Sequence, residues 1–361
     1  MKNMRLAGLM VFICTLFLST SAFGAEFVPD VVVSMQIDNP IMEVNGEKTE
    51  IDEGRGTRPT VVSDRTVVPI RTIIESFGGM VDWDGNTQTA TLSIKSDTIK
   101  LTIDSNTAYL NDKAYKLEVA PIIINERTMM PIRFIAESFN LGVAWESSTR
   151  TVSIIRNLFE DYEYERLQRE LRHYSGYPYI VINNNIPYFK DYEIISGSFE
   201  YYSTLDELGR CDVTMASVAQ DLMPTEDRES ISKVKPTGWI NKKYDNISGG
   251  YLYNRCHLIG FQLTGENANK RNLITGTRYM NTDGMLPFEN MIDDYVDKTG
   301  NHVMYRVTPI FTDSNLVADG VLMEAYSVED KGRGIQFCVY CYNVQPGVTI
   351  NYTTGGSEKA A

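Results

Sequence analysis

Residues 253–291 read YNRCHLIGFQLTGENANKRNLITGTRYMNTDGMLPFENM, and the rest of the chain is organised around them. His257 stands two residues after Arg255. A run of amides and bases follows: Asn267, Asn269, Lys270, Arg271, Asn272, Arg278 and Asn281. Glu289 comes eight residues after Asn281. These residue types suit the cleavage of an anionic diester. Histidine takes up a proton near neutral pH without special tuning. The planar fork of Arg255 can pair with a phosphate. A divalent cation can hold a non-bridging and a leaving oxygen together. Mg²⁺ keeps several of its waters, so one or two protein oxygens, such as that of Asn281, are enough.

The stretch resembles the DNA/RNA non-specific endonuclease family, the ββα-metal (His-Me finger) nucleases, and most closely its secreted bacterial DNase branch. That family centres on an Asp-Arg-Gly-His motif, a later metal-binding asparagine and a glutamate eight residues beyond it. Here the corresponding residues are Asn254, Arg255, Cys256 and His257, then Asn281, then Glu289. The similarity runs from about Tyr177 to Tyr352 and includes LGRCDV, QDLMPTEDR, KPTGW, TGNHVMYRVTPIF and YCYNVQPGVTI. The resemblance implies an α+β, ββα-metal domain on a central antiparallel sheet. It implies His257 as general base and Asn281 as the only direct protein ligand of Mg²⁺, with Mn²⁺ as a substitute. Glu289 would orient metal-bound water, and Arg255 and Asn272 would hold the phosphate and the transition state. Arg278, Lys270 and Arg271 are further candidate substrate contacts. The implied activity is hydrolysis of DNA and RNA with little sequence preference, leaving 5′-phosphate ends. Phosphate contacts position a substrate but do not specify its sequence.

Two positions depart from the motif. Asn254 removes a carboxylate, and Cys256 fits a positive-φ backbone less easily than glycine. They keep open a different class of protein, a surface binder with an inactive nuclease fold. Gly284 and Pro287 predict a helix break between Asn281 and Glu289.

The chain has 361 residues with 43% hydrophobic and 22% charged, a globular composition with room for two or three domains. The net charge of −13 argues against tight stoichiometric nucleic-acid binding, which calls for a basic footprint. A catalyst needs only a local basic groove. Residues 1–24 carry Lys2 and Arg5, an apolar run from Leu6 to Leu18, and Ala22-Phe23-Gly24. This reads as a secretory signal peptide, with an uncleaved anchor as the alternative. No later stretch is apolar enough to span a bilayer. The expected location is therefore outside the cell or on its surface, in a Gram-positive-like bacterium. Cys211, Cys256, Cys338 and Cys341 remain after cleavage. Cys338 and Cys341, three apart on a strand, should point to opposite faces and not bond each other. A Cys211–Cys256 pair and buried free thiols both stay open.

Residues 31–156 hold an internal repeat. DRTVVPIRTIIESF at 64–77 recurs as ERTMMPIRFIAESF at 126–139, an offset of 62 that carries on to Trp83 and Trp145. Each copy predicts a strand, a helix opening at Pro69 or Pro131, and a strand pair turning near Gly85 and Asn86 in the first. Arg71 with Glu75, and Arg133 with Glu137, have the spacing of helix ion pairs. The region resembles the copper amine oxidase N-terminal-like domain of many secreted Gram-positive proteins. It has neither histidine nor cysteine, so a copper site is excluded. The implied role is cell-wall or surface association. Residues 157–176 predict a linker helix ending at Gly176, and residues 177–361 the nuclease domain. There Tyr179–Ile182 and 186–189 predict strands, and 286–298 a helix with Met291, Ile292, Tyr295 and Val296 inward.

Overall fold

The computed structural model describes residues 31–63, 65–156 and 161–360, so the leader expected at 1–24 lies outside the described residues. The N-terminal part is built from one series of elements that recurs. The first series is β1 (Val31–Gln36), β2 (Ile41–Val44), β3 (Glu47–Glu50), β4 (Thr60–Val62), β5 (Arg65–Pro69), α1 (Ile70–Ser76), β6 (Met80–Asp84) and β7 (Thr89–Ile94). The second is β8 (Asp97–Thr102), β9 (Thr107–Leu110), β10 (Lys113–Lys116), β11 (Ile122–Ile124), β12 (Arg127–Pro131), α2 (Ile132–Ser138), β13 (Gly142–Glu146) and β14 (Thr151–Arg156). The loop between β3 and β4 is longer than that between β10 and β11. The offset is therefore larger for the first three strands of each series, and the 62-residue register catches only the later elements.

The two series exchange strands. One sheet has the order β13-β14-β1-β2-β3, another β10-β9-β8-β7-β6, and a third, β11-β12-β5-β4, joins the two halves. Neither series completes a sheet without the other. A single core gathers Ile70, Ile73, Ile74 and Phe77 of the first helix segment with Ile132, Ile135, Ala136 and Phe139 of the second. The pairs Arg71–Glu75 and Arg133–Glu137 form at 3.5 and 3.8 Å on exposed surface, where they contribute little to stability.

α3 (Asp161–Glu170) follows and ends six residues before the expected Gly176. Leu167 on it is fully buried against Ile182, Tyr188 and Tyr340, so this helix is docked on the following domain rather than free as a linker. That domain is a six-stranded antiparallel sheet. Its strands are β15 (Tyr179–Val181), β16 (Phe199–Tyr202), β17 (Thr214–Val218), β20 (Val303–Ile310), β21 (Gly320–Ser327) and β22 (Gln336–Tyr342), in the order β15-β22-β21-β20-β17-β16. The hairpin β18 (Tyr253–His257) and β19 (Leu273–Thr277) stands apart from it, with a short turn α4 (Phe261–Thr264) between its strands. After β19 come a helical segment of π type at Met280–Met285 and α5 (Leu286–Thr299). A small hairpin, β23 (Val348–Ile350) and β24 (Ser357–Lys359), closes the chain. The strand expected at 186–189 is absent. Asn183, Asn184 and Asn185 all take positive φ there, which asparagine tolerates and which turns the chain instead.

The sheet is covered on both faces. Val303, Tyr305, Val321, Met323, Val339 and Cys341 pack with Phe288, Ile292 and Val296 of α5 on the front. Neighbouring residues of the same strands alternate to the back. There Leu322, Cys338 and Tyr340 meet Leu167 of α3, while Met215 and Met304 meet Val32, Ala144 and Ile155 of the N-terminal unit. Cys338 and Cys341 thus face opposite ways. All four described cysteines are buried free thiols. Met291 departs from its expected inward position and is exposed, while Ile292 and Val296 are buried.

Candidate active site

The break expected between Asn281 and Glu289 does not occur. The π segment runs straight into α5, with helical backbone at Tyr279, Met285 and Leu286 on its borders. A π turn bonds to the fifth residue rather than the fourth. Pro287, which lacks an N–H, falls in the first turn of α5, where that donor would have no helical partner. Asn281 and Glu289 consequently line one groove of about 820 Å³ together with His257, Arg255, Arg278 and Arg228. Three arginines against one carboxyl make it locally basic on an acidic chain.

His257 closes β18, opposite Leu273. Its Nε2 lies 2.8 Å from the Asn267 carbonyl, and its Nδ1 lies 3.2 Å from Nη2 of Arg228. Arginine only donates. Nδ1 therefore carries the lone pair, and Nε2 carries the proton and donates it to the carbonyl. Burial, together with the Arg228 charge, pushes the imidazole down to about 4, so the ring is neutral at pH 7. Arg228 lies 29 residues upstream, in the long loop after β17.

Glu289 is 8% exposed. Gly260 donates its backbone N–H to the carboxyl, yet burial dominates and pushes it up to about 8. A Cβ on Gly260 would lie 2.8 Å from Oε1 of Glu289, so this position requires glycine for close approach. Asn281 is half-buried, and its amide makes no hydrogen bond among the described residues. Arg278 likewise lines the groove without a side-chain partner among the described residues.

Four of the expected residues have partners or positions beyond the groove. Asn272 does not line the groove: it is fully buried, accepting from Ile259 N and donating to Ile259 O, both at 2.9 Å. It clamps the turn that carries Gly260. Arg255 lines the groove, but it donates from Nε to the Val234 carbonyl and from Nη2 to the Ser232 carbonyl. Its guanidinium also stacks over Trp239 at 4.3 Å, so it fastens the long loop to the hairpin. Lys270 and Arg271 are exposed outside the groove, and Arg271 instead reaches Asn140 of the N-terminal unit at 3.1 Å.

The two departures from the motif are accommodated. Cys256 lies in regular strand without positive φ. Its side chain turns away from the groove toward Met285, with Gly276 leaving the space it needs. Asn254 lines the groove. His302 lies elsewhere, 2.6 Å from Glu329 through Nδ1, and His173 is exposed just beyond α3.

The site therefore joins a hairpin ending in a neutral histidine to a helix that presents an amide and a buried carboxyl. Residues 190–329 match the family DNA/RNA non-specific endonuclease, and residues 55–154 the family copper amine oxidase N-terminal domain. The chain therefore carries one region similar to each of these two families. Among solved structures, NucA from Streptococcus agalactiae with magnesium bound is 23% identical. It aligns with 56% of this chain and 98% of that one, at a TM-score of 0.48. Sda1 nuclease with bound zinc is 26% identical, covering 51% of this chain and 97% of that one, at 0.40. An extracellular endonuclease is 19% identical over 52% and 100%, at 0.36. No curated protein matches the chain.

Proposed function

We propose that the chain is a secreted, divalent-cation-dependent endonuclease in which His257 is the general base. The observation that carries this reading is the setting of His257, in one groove with Asn281 and Glu289 and held at both ring nitrogens. Its Nδ1 lone pair faces the groove's cationic side, while Nε2 is tied to the Asn267 carbonyl. In the proposed step a water attacks phosphorus in line, and its proton passes to Nδ1 as the P–O3′ bond breaks. The products are a 5′ phosphate and a 3′ hydroxyl, the latter protonated from solvent. Arg228 and Arg278 pair with the phosphate oxygens. The Asn267 carbonyl supports the imidazolium that forms, since Nε2–H already points at it.

The groove fits a hard cation. It offers one amide oxygen, at Asn281, without a partner among the described residues, and one carboxyl, at Glu289, which burial pushes up to about 8. No group of three histidine, cysteine or acidic side chains among the described residues is arranged to bind a metal. Two oxygens with water and phosphate completing the shell suit Mg²⁺ or Mn²⁺. Asn281 and Glu289 are the residues that would hold it, Glu289 directly or through its waters. When bound, the cation supplies charge neutralisation for the phosphate and the departing oxygen.

DNA and RNA are the proposed substrates, held through phosphates. Residues 31–156 form a repeat-built α+β module and residues 177–361 the ββα-metal domain, with 1–24 the cleaved leader. Among the described residues no helix is long and apolar enough to cross a membrane. Digestion of plasmid DNA with Mg²⁺ tests the base. His257→Ala should lower the rate by about 10²–10⁴-fold while DNA binding persists; retained activity overturns the assignment. Asn281→Ala should raise the Mg²⁺ concentration needed for half-maximal rate.

A further inference from the structure

The two series of the N-terminal module are not equally filled. In the second, Phe134 of α2 and Tyr115 of β10 lie with ring centroids 6.3 Å apart, and Phe134 packs on the module's core. Their counterparts in the first series are Thr72 of α1 and Thr49 of β3. Two aromatic rings in one copy correspond to two threonines in the other. Beside Thr72 a groove of about 530 Å³ opens. Its walls include Trp83, which is 41% exposed, and Ile123, which is 48% exposed.

The rim of this groove is polar and balanced. Arg71 and Arg127 stand against Asp52 and Glu126. Asp52 accepts from Arg127 at 2.9 Å and from Thr57 at 2.7 Å, and Arg71 donates to the Val81 carbonyl at 2.8 Å. These bonds hold the charged groups in place and leave donor and acceptor capacity facing outward. A rim without net charge does not select a polyanion, whose binding depends on an excess of lysine and arginine. An exposed indole beside an aliphatic side chain asks for an apolar face. Such a site suits a ring with apolar faces, polar edges and no net charge.

We propose that this groove binds a sugar ring of an uncharged glycan, with the ring face on Trp83 and the hydroxyl edges on Arg127, Asp52 and Thr128. The counterpart of Trp83, Trp145, is bridged through its backbone to Ser198 of the nuclease domain. One copy therefore fastens the module to the enzyme, and the other holds the glycan. The module tethers the nuclease to a carbohydrate surface independently of the catalytic chemistry.

The test uses the full chain. Tryptophan fluorescence is titrated with chitotetraose, cellotetraose and maltotetraose, for the wild type, Trp83→Ala and Thr72→Phe. Thr72→Phe restores the residue of the filled copy. The wild type should show a saturable change with at least one of these sugars. For Trp83→Ala and Thr72→Phe, calorimetric titration with that sugar should show affinity at least about tenfold weaker. Both variants should melt as the wild type does and digest DNA at the same rate. Silence of the wild type toward all three sugars overturns the proposal. So does undiminished binding by folded Thr72→Phe.

Discussion

Buried carboxyls lie on both sides of the six-stranded sheet, and they are treated differently. On the back, Arg306 of β20 is fully buried between Glu324 at 2.8 Å and Glu193 at 3.4 Å. Each carboxyl also receives a backbone N–H, from Tyr188 to Glu324 and from Lys190 to Glu193, at 2.7 Å. On the front, Glu289 has the Gly260 N–H and the more distant charge of Arg228 but no ion pair among the described residues, and burial pushes its carboxyl up to about 8. The side-chain amide of Asn281 in the same groove has no partner among the described residues. The back cluster is closed and serves the fold. The front carboxyl stands in an open groove with three arginines and forms no ion pair with them among the described residues.

The comparison can be broken in order of expected effect. Arg306→Ala leaves two carboxyls buried without their cation and should cost about 3–5 kcal/mol in urea unfolding. A loss under about 1 kcal/mol would show that the back cluster is not closed in the sense argued. Gly260→Ala pushes the Glu289 carboxyl aside. Displacement of this size should lower the cleavage rate by about 10²-fold with little change in melting temperature. An unaltered rate would remove Glu289 from the chemistry.

Two smaller effects depend on pH. His257 is held near 4, below the ordinary 6.5, so its neutral form persists well into acid. The acid limb of kcat/KM should therefore fall below the ordinary histidine range, and Arg228→Ala should move it upward. A limb at 6.5 in the wild type would contradict the burial argument. Between 4 and 6.5 the unfolded chain binds the extra proton, so this group's contribution to stability is lost as pH falls through that window. Glu289 has the opposite sign. Its folded value of about 8 lies above the ordinary 4.5. Its stabilising contribution is present below 4.5 and is lost as pH rises toward 8. In chelator, Glu289→Gln should flatten that part of the melting profile, and a profile identical to wild type would count against the shift.

Much of the site was legible because its members lie close in sequence. Arg255, His257, Asn281 and Glu289 all line the groove, and the repeat announced the N-terminal module through its 62-residue register. What stayed hidden depended on contacts across the chain. Arg228 comes from a loop without regular structure, and nothing local marks it as the residue that meets Nδ1. The resemblance implied that Asn272 holds the phosphate, but its side chain is turned onto the Ile259 backbone. The helix break at Gly284 and Pro287 was a fair reading of propensity. The π turn overrode it by placing Pro287 in the first turn of α5. The exchange of strands between the two series is invisible to an offset, since pairing β1 with β14 joins residues from opposite ends of the module.

In the proposed reading a cation entering the groove displaces the proton of Glu289. Calorimetric titration of Mg²⁺ at pH 7, repeated in buffers of different ionisation enthalpy, counts the protons released on binding. A Glu289 carboxyl that is protonated in the free protein and ionised beside the cation predicts about one proton released per Mg²⁺, and none for Glu289→Gln. Mg²⁺ binding without proton release, or release that persists in Glu289→Gln, would contradict it.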